Sequence, residues 1–188
     1  MLIQNLDKYL TAKLSMLSGK TKSGLEFSLR KFRKSDVSAL AKLINNKKIV
    51  QNLQNVPYPY TKKDAIWWIN QNIYGGNKDK LNLVIDVEGR LAGAIGITSV
   101  VSGHKGSLGY WLAEEHWGKG IMTEVTRVFT DYCFKEFKLI RIYGRVYDWN
   151  LASARVIEKN GFVKEGVLRK NIKNKFGRIG DEWIYGKI

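Results

Sequence analysis

The sequence holds a single cysteine, Cys133, and only two histidines. One thiol forbids an internal disulfide, and the three residues together are too few for a structural zinc site, so no metal is expected and a reducing cytoplasm is the default setting. Long apolar runs are also missing. The longest, residues 91–101, contains Gly93 and Gly96 and falls short of the roughly 18 residues a membrane helix needs, so no membrane partner is expected. Residues 1–24 are interrupted by Asp7, Lys8 and Lys13 and lack the compact apolar stretch and small-residue cleavage site of a signal peptide. Acidic residues are scarce: 17 Asp and Glu against 32 Lys and Arg leave a net charge of +15. That field attracts anions at neutral pH. Nucleic acid, an anionic membrane and a phosphate-rich cofactor all satisfy the sign, so charge alone selects none of them. With 188 residues, 44% hydrophobic and 26% charged, the chain is too ordinary in composition for disorder, collagen or low-complexity fibre, and one packed domain is expected.

Along the chain, Leu2, Leu6, Leu10, Leu14 and Leu17 recur at helical spacing, and residues 18–24 (SGKTKSG) read as a flexible link. Residues 1–24 are therefore expected to be an amphipathic extension packed on its own domain or on a dimer mate, with residues 25–188 forming the domain. Leu25, Phe27 and Leu29 alternate as a strand should. Ser35 is the expected cap of a helix carrying Val37, Leu40, Ala41 and Ile44, and Thr61 with Asp64 form a capping-box start for a helix carrying Trp67, Trp68 and Ile69. Residues 81–87 and 91–98 alternate as a hairpin, residues 107–112 form a strand, and Ile121, Val125, Val128, Phe129 and Tyr132 trace a helical stripe. Cys133 borders that stripe as a small core residue. A strand over 140–146, a short helix over 153–159 and strands near 163–172 and 179–188 complete a mixed α/β sheet with helices on both faces.

One segment carries chemistry. Residues 109–124, GYWLAEEHWGKGIMTE, run from a strand into a loop with glycines two apart and then directly into a long helix. Glycine lets backbone approach a ligand, and the unpaired amides of a helix's first turn, with the helix dipole, favour an anion such as a diphosphate. The dinucleotide fingerprint lacks its third glycine here, and the triphosphatase loop lacks its Gly-Lys-Ser/Thr ending.

This run, followed by Asn150-Leu151-Ala152-Ser153 and by Glu158-Lys159-Asn160-Gly161-Phe162, resembles the GNAT superfamily of acetyl-CoA-dependent N-acetyltransferases, and within it the Rim type that acetylates ribosomal-protein N-termini. The segments LRKFRKSD (29–36) and PYPYTKKDAIWWI (57–69) extend the resemblance to residues 25–188. It implies a single-domain, largely antiparallel mixed sheet (α+β within the broad α/β class) whose central strands splay. It implies that the amides of Trp117, Gly118, Lys119, Gly120 and Ile121 bind the CoA diphosphate. It further implies that backbone groups of Trp111, Leu112 and Ala113, with Gly109 allowing close approach, pair with pantetheine and polarise the thioester carbonyl. Asn150 would hold pantetheine, and Ser153 would give a proton to the departing thiolate.

Two departures stand out. Where related enzymes often carry carboxylates, this chain has Ser107 and Ile172, so no obvious general base remains; His104, Asp148 or a water relay are the substitutes. His116, just before the loop, faces solvent or cofactor. Tyr58, Tyr60, Trp67 and Trp68 read equally as core residues or as a binding wall, and at least one of the adjacent tryptophans turns away from the core because neighbours do not share a helix face; the resemblance implies that this region, with Tyr58, Tyr60 and Trp67, edges the acceptor pocket. The expected function is acetyl transfer from acetyl-CoA to a primary amine, with an N-terminal α-amine of a protein, delivered on an RNA-rich ribosome, as the leading acceptor. A polyamine or antibiotic acetyltransferase and a catalytically weak ribosome- or RNA-binding module are the alternatives.

Overall fold

The computed structural model describes residues 17–75 and 79–188; the helical stripe read over residues 2–17 lies, but for Leu17, outside the described residues. Residues 18–24, expected as a flexible link, begin instead with strand β1 (Ser18–Lys20), paired antiparallel with β2 (Glu26–Arg30) across a turn in which the Gly24 amide donates to the Thr21 carbonyl at 2.9 Å. Backbone pairing at a sheet edge orders this polar segment despite its composition, and Leu17, buried in the core, anchors it.

Ser35, expected as a cap, sits inside a 3-10 turn (Lys34–Asp36), and Asp36 takes the N-cap position of α1 (Val37–Ile44). The Asp36 carboxylate accepts the Arg33 amide at 2.8 Å and the Arg30 guanidinium at 2.8 and 2.9 Å, while Arg30 Nε reaches Asp86 at 2.7 Å. This buried clamp ties β2, α1 and the central sheet together. A one-turn helix α2 (Lys47–Val50), capped by Asn46 Oδ1 on the Lys48 amide, went unread because four residues are too few to show a period. Helix α3 (Lys62–Ile73) starts with the expected reciprocal box: Asp64 accepts the Thr61 amide at 2.8 Å and Thr61 Oγ1 accepts the Asp64 amide at 3.3 Å.

Strands β3 (Leu81–Val87) and β4 (Arg90–Val101) meet across Glu88 and Gly89, both at positive φ as a tight two-residue hairpin requires. β5 (Lys105–Leu112), α4 (Ile121–Glu136), β6 (Arg141–Tyr147), α5 (Leu151–Glu158), β7 (Val163–Lys173) and β8 (Ile179–Lys187) follow. The sheet runs β1-β2-β3-β4-β5-β6-β8-β7, and β5–β6 is its one parallel pair among the described residues. A parallel neighbour needs a crossover, and α4 supplies it.

The sheet is covered on both faces. On one, Ile85, Ile95 and Ile97 pack with Val125, Phe129 and Cys133 of α4 and Ile157 of α5; on the other, Val84, Leu91 and Ala94 pack with Leu40 and Ile44 of α1 and Ile69 of α3. Each such fully buried aliphatic contributes about 1.5–3 kcal/mol relative to exposure. Burial also pushes the Cys133 thiol well above its ordinary range, consistent with a packing role. No helix among the described residues is long and apolar enough to cross a membrane.

Candidate active site

The site begins where β5 and β6 part. Their pairing runs from Lys105 opposite Arg141 to Leu108 opposite Gly144 and stops, although both strands continue. Successive residues of a strand face opposite neighbours. The Ala113 amide donates to the Ala92 carbonyl of β4 at 2.8 Å and the His104 carbonyl accepts from Arg141 of β6 at 3.0 Å. Odd-numbered residues of β5 therefore turn to β4 and even-numbered ones to β6. Beyond Leu108, the amides of Tyr110 and Leu112 face an open wedge. This corrects part of the sequence reading: Trp111 and Ala113 spend their backbone groups on the sheet side, with the Ala113 carbonyl also accepting from His116 at 3.0 Å. Leu112 does face the wedge, although its carbonyl accepts Trp117 Nε1 at 2.8 Å. Tyr110, which the sequence reading did not name, faces the wedge beside it. A Cβ built on Gly109 meets nothing within 4 Å, so no atom of the chain itself requires glycine there.

The loop after β5 turns through a 3-10 segment (Glu114–His116) into α4. Gly118 and Gly120 adopt φ of 74° and 78°, and a Cβ on either would stand in open space before the helix. The first intrahelical bond runs from the Glu124 amide to the Gly120 carbonyl, so the amides of Ile121, Met122 and Thr123 have no acceptor four residues back. Lys119 is exposed beside them. This cradle fits a diphosphate. Trp117 departs from expectation, because its amide donates to the Glu114 carbonyl at 3.1 Å.

Ser153, in the first turn of α5, faces Tyr110 across the wedge: Ser153 Oγ lies 2.9 Å from Tyr110 Oη, and that phenol also donates to the Ser153 carbonyl at 3.2 Å. Burial raises the Tyr110 pKa strongly, and the Ser153 bond only partly offsets it, so the phenol stays protonated. Asn150 caps α5, its Oδ1 accepting the Ser153 amide at 3.3 Å. Tyr110 packs with the α4–α5 core, so this hydroxyl pair marks the cofactor side of the sheet.

The other face of the wedge leads to a cleft of about 280 Å³, lined by Gln51, Leu53, Tyr147, Asn171, Lys173 and Lys175. The β7–β8 hairpin tip closes over it. Lys175 Nζ donates to the Leu53 carbonyl at 2.7 Å and also to that of Val56, Phe176 meets Tyr58 edge-on at 5.3 Å, and Lys47 lies over the Phe176 ring at 4.8 Å. Burial lowers the Lys175 pKa. Tyr58 touches the hairpin tip through Phe176 without lining the cleft, and Tyr60 is a core residue, 7% exposed among α1 and α3 side chains, with burial pushing its pKa up to about 12. Trp67 is 62% exposed on α3 and Trp68 turns inward, as adjacent helix positions require; neither lines the cleft.

Beneath the cleft lies Glu182 of β8, which sequence reasoning missed. It is 2% exposed, opposite Tyr147 in the β6–β8 ladder, and its Oε2 accepts Asn171 Nδ2 at 2.8 Å and Arg145 Nη1 at 3.4 Å. Its signal was an acidic pair, Asp181-Glu182, just before the apolar residues of the last strand.

The base candidates fare unequally. His104 is exposed just before β5, and eight residues at about 3.3 Å each put it roughly 26 Å from Leu112, too far for proton transfer. Asp148 follows β6, with its buried Oδ1 unpartnered against Gly180. His116 lies 3.5 Å from Glu115, and burial lowers its pKa.

Comparison with known proteins bears on this geometry. A model of the acetyltransferase (GNAT) domain matches residues 26–163. The Bacillus subtilis protein YjcK, described as a probable N-acetyltransferase, is 48% identical over 86 residues, covering 45% of this chain and 48% of that protein. The structure resembles RimL, the ribosomal L7/L12 α-N-protein acetyltransferase in complex with coenzyme A, with a TM-score of 0.78, 22% identity, and 86% and 93% of the two chains covered. It also resembles the spermidine N-acetyltransferase of Vibrio cholerae in complex with CoA and spermine, with a TM-score of 0.74, 23% identity, and 86% and 94% covered. The chain belongs to the GNAT acetyltransferase family and is an acetyl-CoA-dependent N-acetyltransferase.

Proposed function

We propose that the acceptor is the N-terminal α-amine of a protein or peptide, with a ribosomal protein in the cytoplasm as the leading case. The observation that carries this reading is the cleft on the Tyr147 side of the wedge, whose lining includes Lys173 and Lys175 and no carboxylate. A polyamine would bring two or more positive charges to that lining and be repelled. A peptide terminus brings one. An α-amine with a pKa of about 7.7–8.0 also keeps a fair neutral fraction near pH 7.5, whereas a lysine at about 10.4 keeps only about one part in a thousand. The net charge of +15 would draw the protein to an RNA-rich particle on which such termini are presented.

The wedge divides the work between its faces. Acetyl-CoA supplies the activated acyl group. On the α4–α5 face, the amides of Ile121, Met122 and Thr123 hold the diphosphate, and the wedge-facing amides of Tyr110 and Leu112 pair with the pantetheine arm and polarise the thioester carbonyl. Ser153, held by Tyr110, gives the proton to the thiolate. Asn150 sets the first turn of α5 and thereby the position of Ser153. The amine approaches from the opposite face, past Tyr147, and attacks directly; as the C–N bond forms and the C–S bond breaks, the proton lost by nitrogen passes to water, from which Ser153 is reprotonated.

The test is acetylation with labelled acetyl-CoA of two matched peptides, one with a free N-terminus and no lysine, the other blocked at its N-terminus with one lysine, alongside spermidine. Label in the free N-terminus alone is the expected result. Label only in the lysine peptide or in spermidine would overturn the acceptor while leaving fold and co-substrate in place.

A further inference from the structure

The charges around the acceptor cleft are arranged in an order that the net charge does not predict. Its mouth is cationic: Lys173 and Lys175 line it, Lys47 lies over Phe176 at the hairpin tip, and Arg178 lies over the Trp149 ring at 4.5 Å. Behind its lining lies one carboxylate, Glu182, whose charge is paired with Arg145. Glu182 is nearly sealed from solvent, and both of its hydrogen bonds end on Oε2, leaving Oε1 without one among the described residues. Two of the residues beside it lead directly into the cleft. Asn171 lines the cleft and donates to Glu182, and Tyr147 lines it and stands opposite Glu182 in a ladder position where no backbone bonds intervene and side chains approach most closely.

A buried carboxylate accepts a hydrogen bond from a neutral amine, the form that attacks, more strongly than an exposed one does, since water does not compete for it. The mouth, by contrast, is exposed, and each lysine there contributes only the modest attraction of a surface pair. The two ends therefore discriminate differently. The floor asks for an amine, and the mouth asks for negative charge a few ångströms behind it.

We propose that the acceptor is a peptide whose free amine is followed directly by acidic residues, the amine lying toward Glu182 and the acidic side chains lying on the Lys173 and Lys175 rim. This rests on the acetyltransferase reading and on the cleft being the acceptor site. It makes the enzyme selective for a class of termini rather than for amines in general, and it gives the last strand a substrate contact that the sequence did not announce. A polyamine satisfies the floor and is refused at the mouth.

The experiment uses the full chain, acetyl-CoA and three lysine-free peptides with identical first residues, whose positions two to four are acidic, neutral or arginine-rich, with spermidine as a fourth acceptor. Acetyl-CoA affinity is measured in parallel by titration calorimetry. The acidic peptide is expected to exceed the arginine-rich one in kcat/KM by on the order of tenfold or more, since each exposed charge pair is worth up to about fivefold. Lys173→Glu is expected to flatten or invert that order with acetyl-CoA affinity unchanged. Glu182→Gln, which keeps an acceptor for Asn171, is expected to lower kcat/KM for all three peptides, again with acetyl-CoA affinity unchanged. Equal rates for the three peptides, a preference for the arginine-rich one or for spermidine, or an unaltered order in Lys173→Glu would each overturn the proposal. Absence of acetyl-CoA binding would remove the acetyltransferase reading itself, and the calorimetric arm tells that failure from the others.

Discussion

Replacing Gly120 with alanine separates what the loop does for folding from what it does for binding. At φ 78° any residue with a Cβ is strained, and the left-handed conformation costs roughly 1–2 kcal/mol. The new methyl would touch nothing, because no atom lies within 4 Å of its position. For a chain of 188 residues, the strain alone corresponds to a fall in Tm of about 2–8 °C. Gly103, in the turn at the far end of β5, provides the control: its φ is 73° and its Cβ position is equally empty. Gly103→Ala is thus expected to lose as much stability as Gly120→Ala. Only at Gly120 does the methyl stand before the free amides of α4. Losing one charge-assisted hydrogen bond there costs about 1.5–3 kcal/mol, or roughly ten- to a hundredfold in affinity. Calorimetric titration with acetyl-CoA at a temperature where both variants are folded reads the difference. Equal affinities for Gly103→Ala and Gly120→Ala would refute the placement of the diphosphate.

Three further outcomes follow from the geometry. Ser153→Ala is expected to lower kcat by on the order of 10²-fold or less, because a thiolate with a free-thiol pKa of about 8.5 leaves readily; Tyr110→Phe should produce a smaller loss of the same kind in steady-state assays, and unchanged kcat in Ser153→Ala would remove its role. Arg30→Leu strands the buried carboxylates of Asp36 and Asp86 and is expected to cost about 3 kcal/mol or more, read as a lower denaturant midpoint. His116 has a folded pKa below its unfolded value, so the unfolded chain binds the proton more readily; stability should be full above about pH 6.5 and decline as pH falls below it, and His116→Gln should flatten that part of the profile in denaturant titrations at pH 5–7.

What the sequence displayed and what it hid divide along a physical line. Local pattern was readable: the α4 stripe, the β3–β4 hairpin and the Thr61–Asp64 box are all present, although β3 and β4 are buried on both faces rather than alternately. The glycine loop that leaves free amides at the start of α4 was readable because its geometry is written in glycines. Contacts set by pairing partners were not. Whether Trp111 or Tyr110 turns toward the wedge depends on which residue of β4 stands opposite, and nothing near residue 110 encodes that. Glu182 acquires its setting from Tyr147, Asn171 and Arg145, none of them close in sequence. Tyr60 read as a pocket aromatic because an aromatic beside prolines looks the same whether the chain folds it in or out.

The parting of β5 from β6 also has a consequence for how stability is distributed. Up to Leu108 and Gly144 the two strands hold each other; beyond that point each is tied on one side only, β5 to β4 and β6 to β8. The protein is in effect two half-sheets hinged at that last pair, and a ligand lying in the gap and accepting from Tyr110 and Leu112 acts as a removable strand joining them. Amide exchange at Tyr110 and Leu112 should then slow sharply when acetyl-CoA binds, while exchange at Gly106 and Leu108 stays as it was.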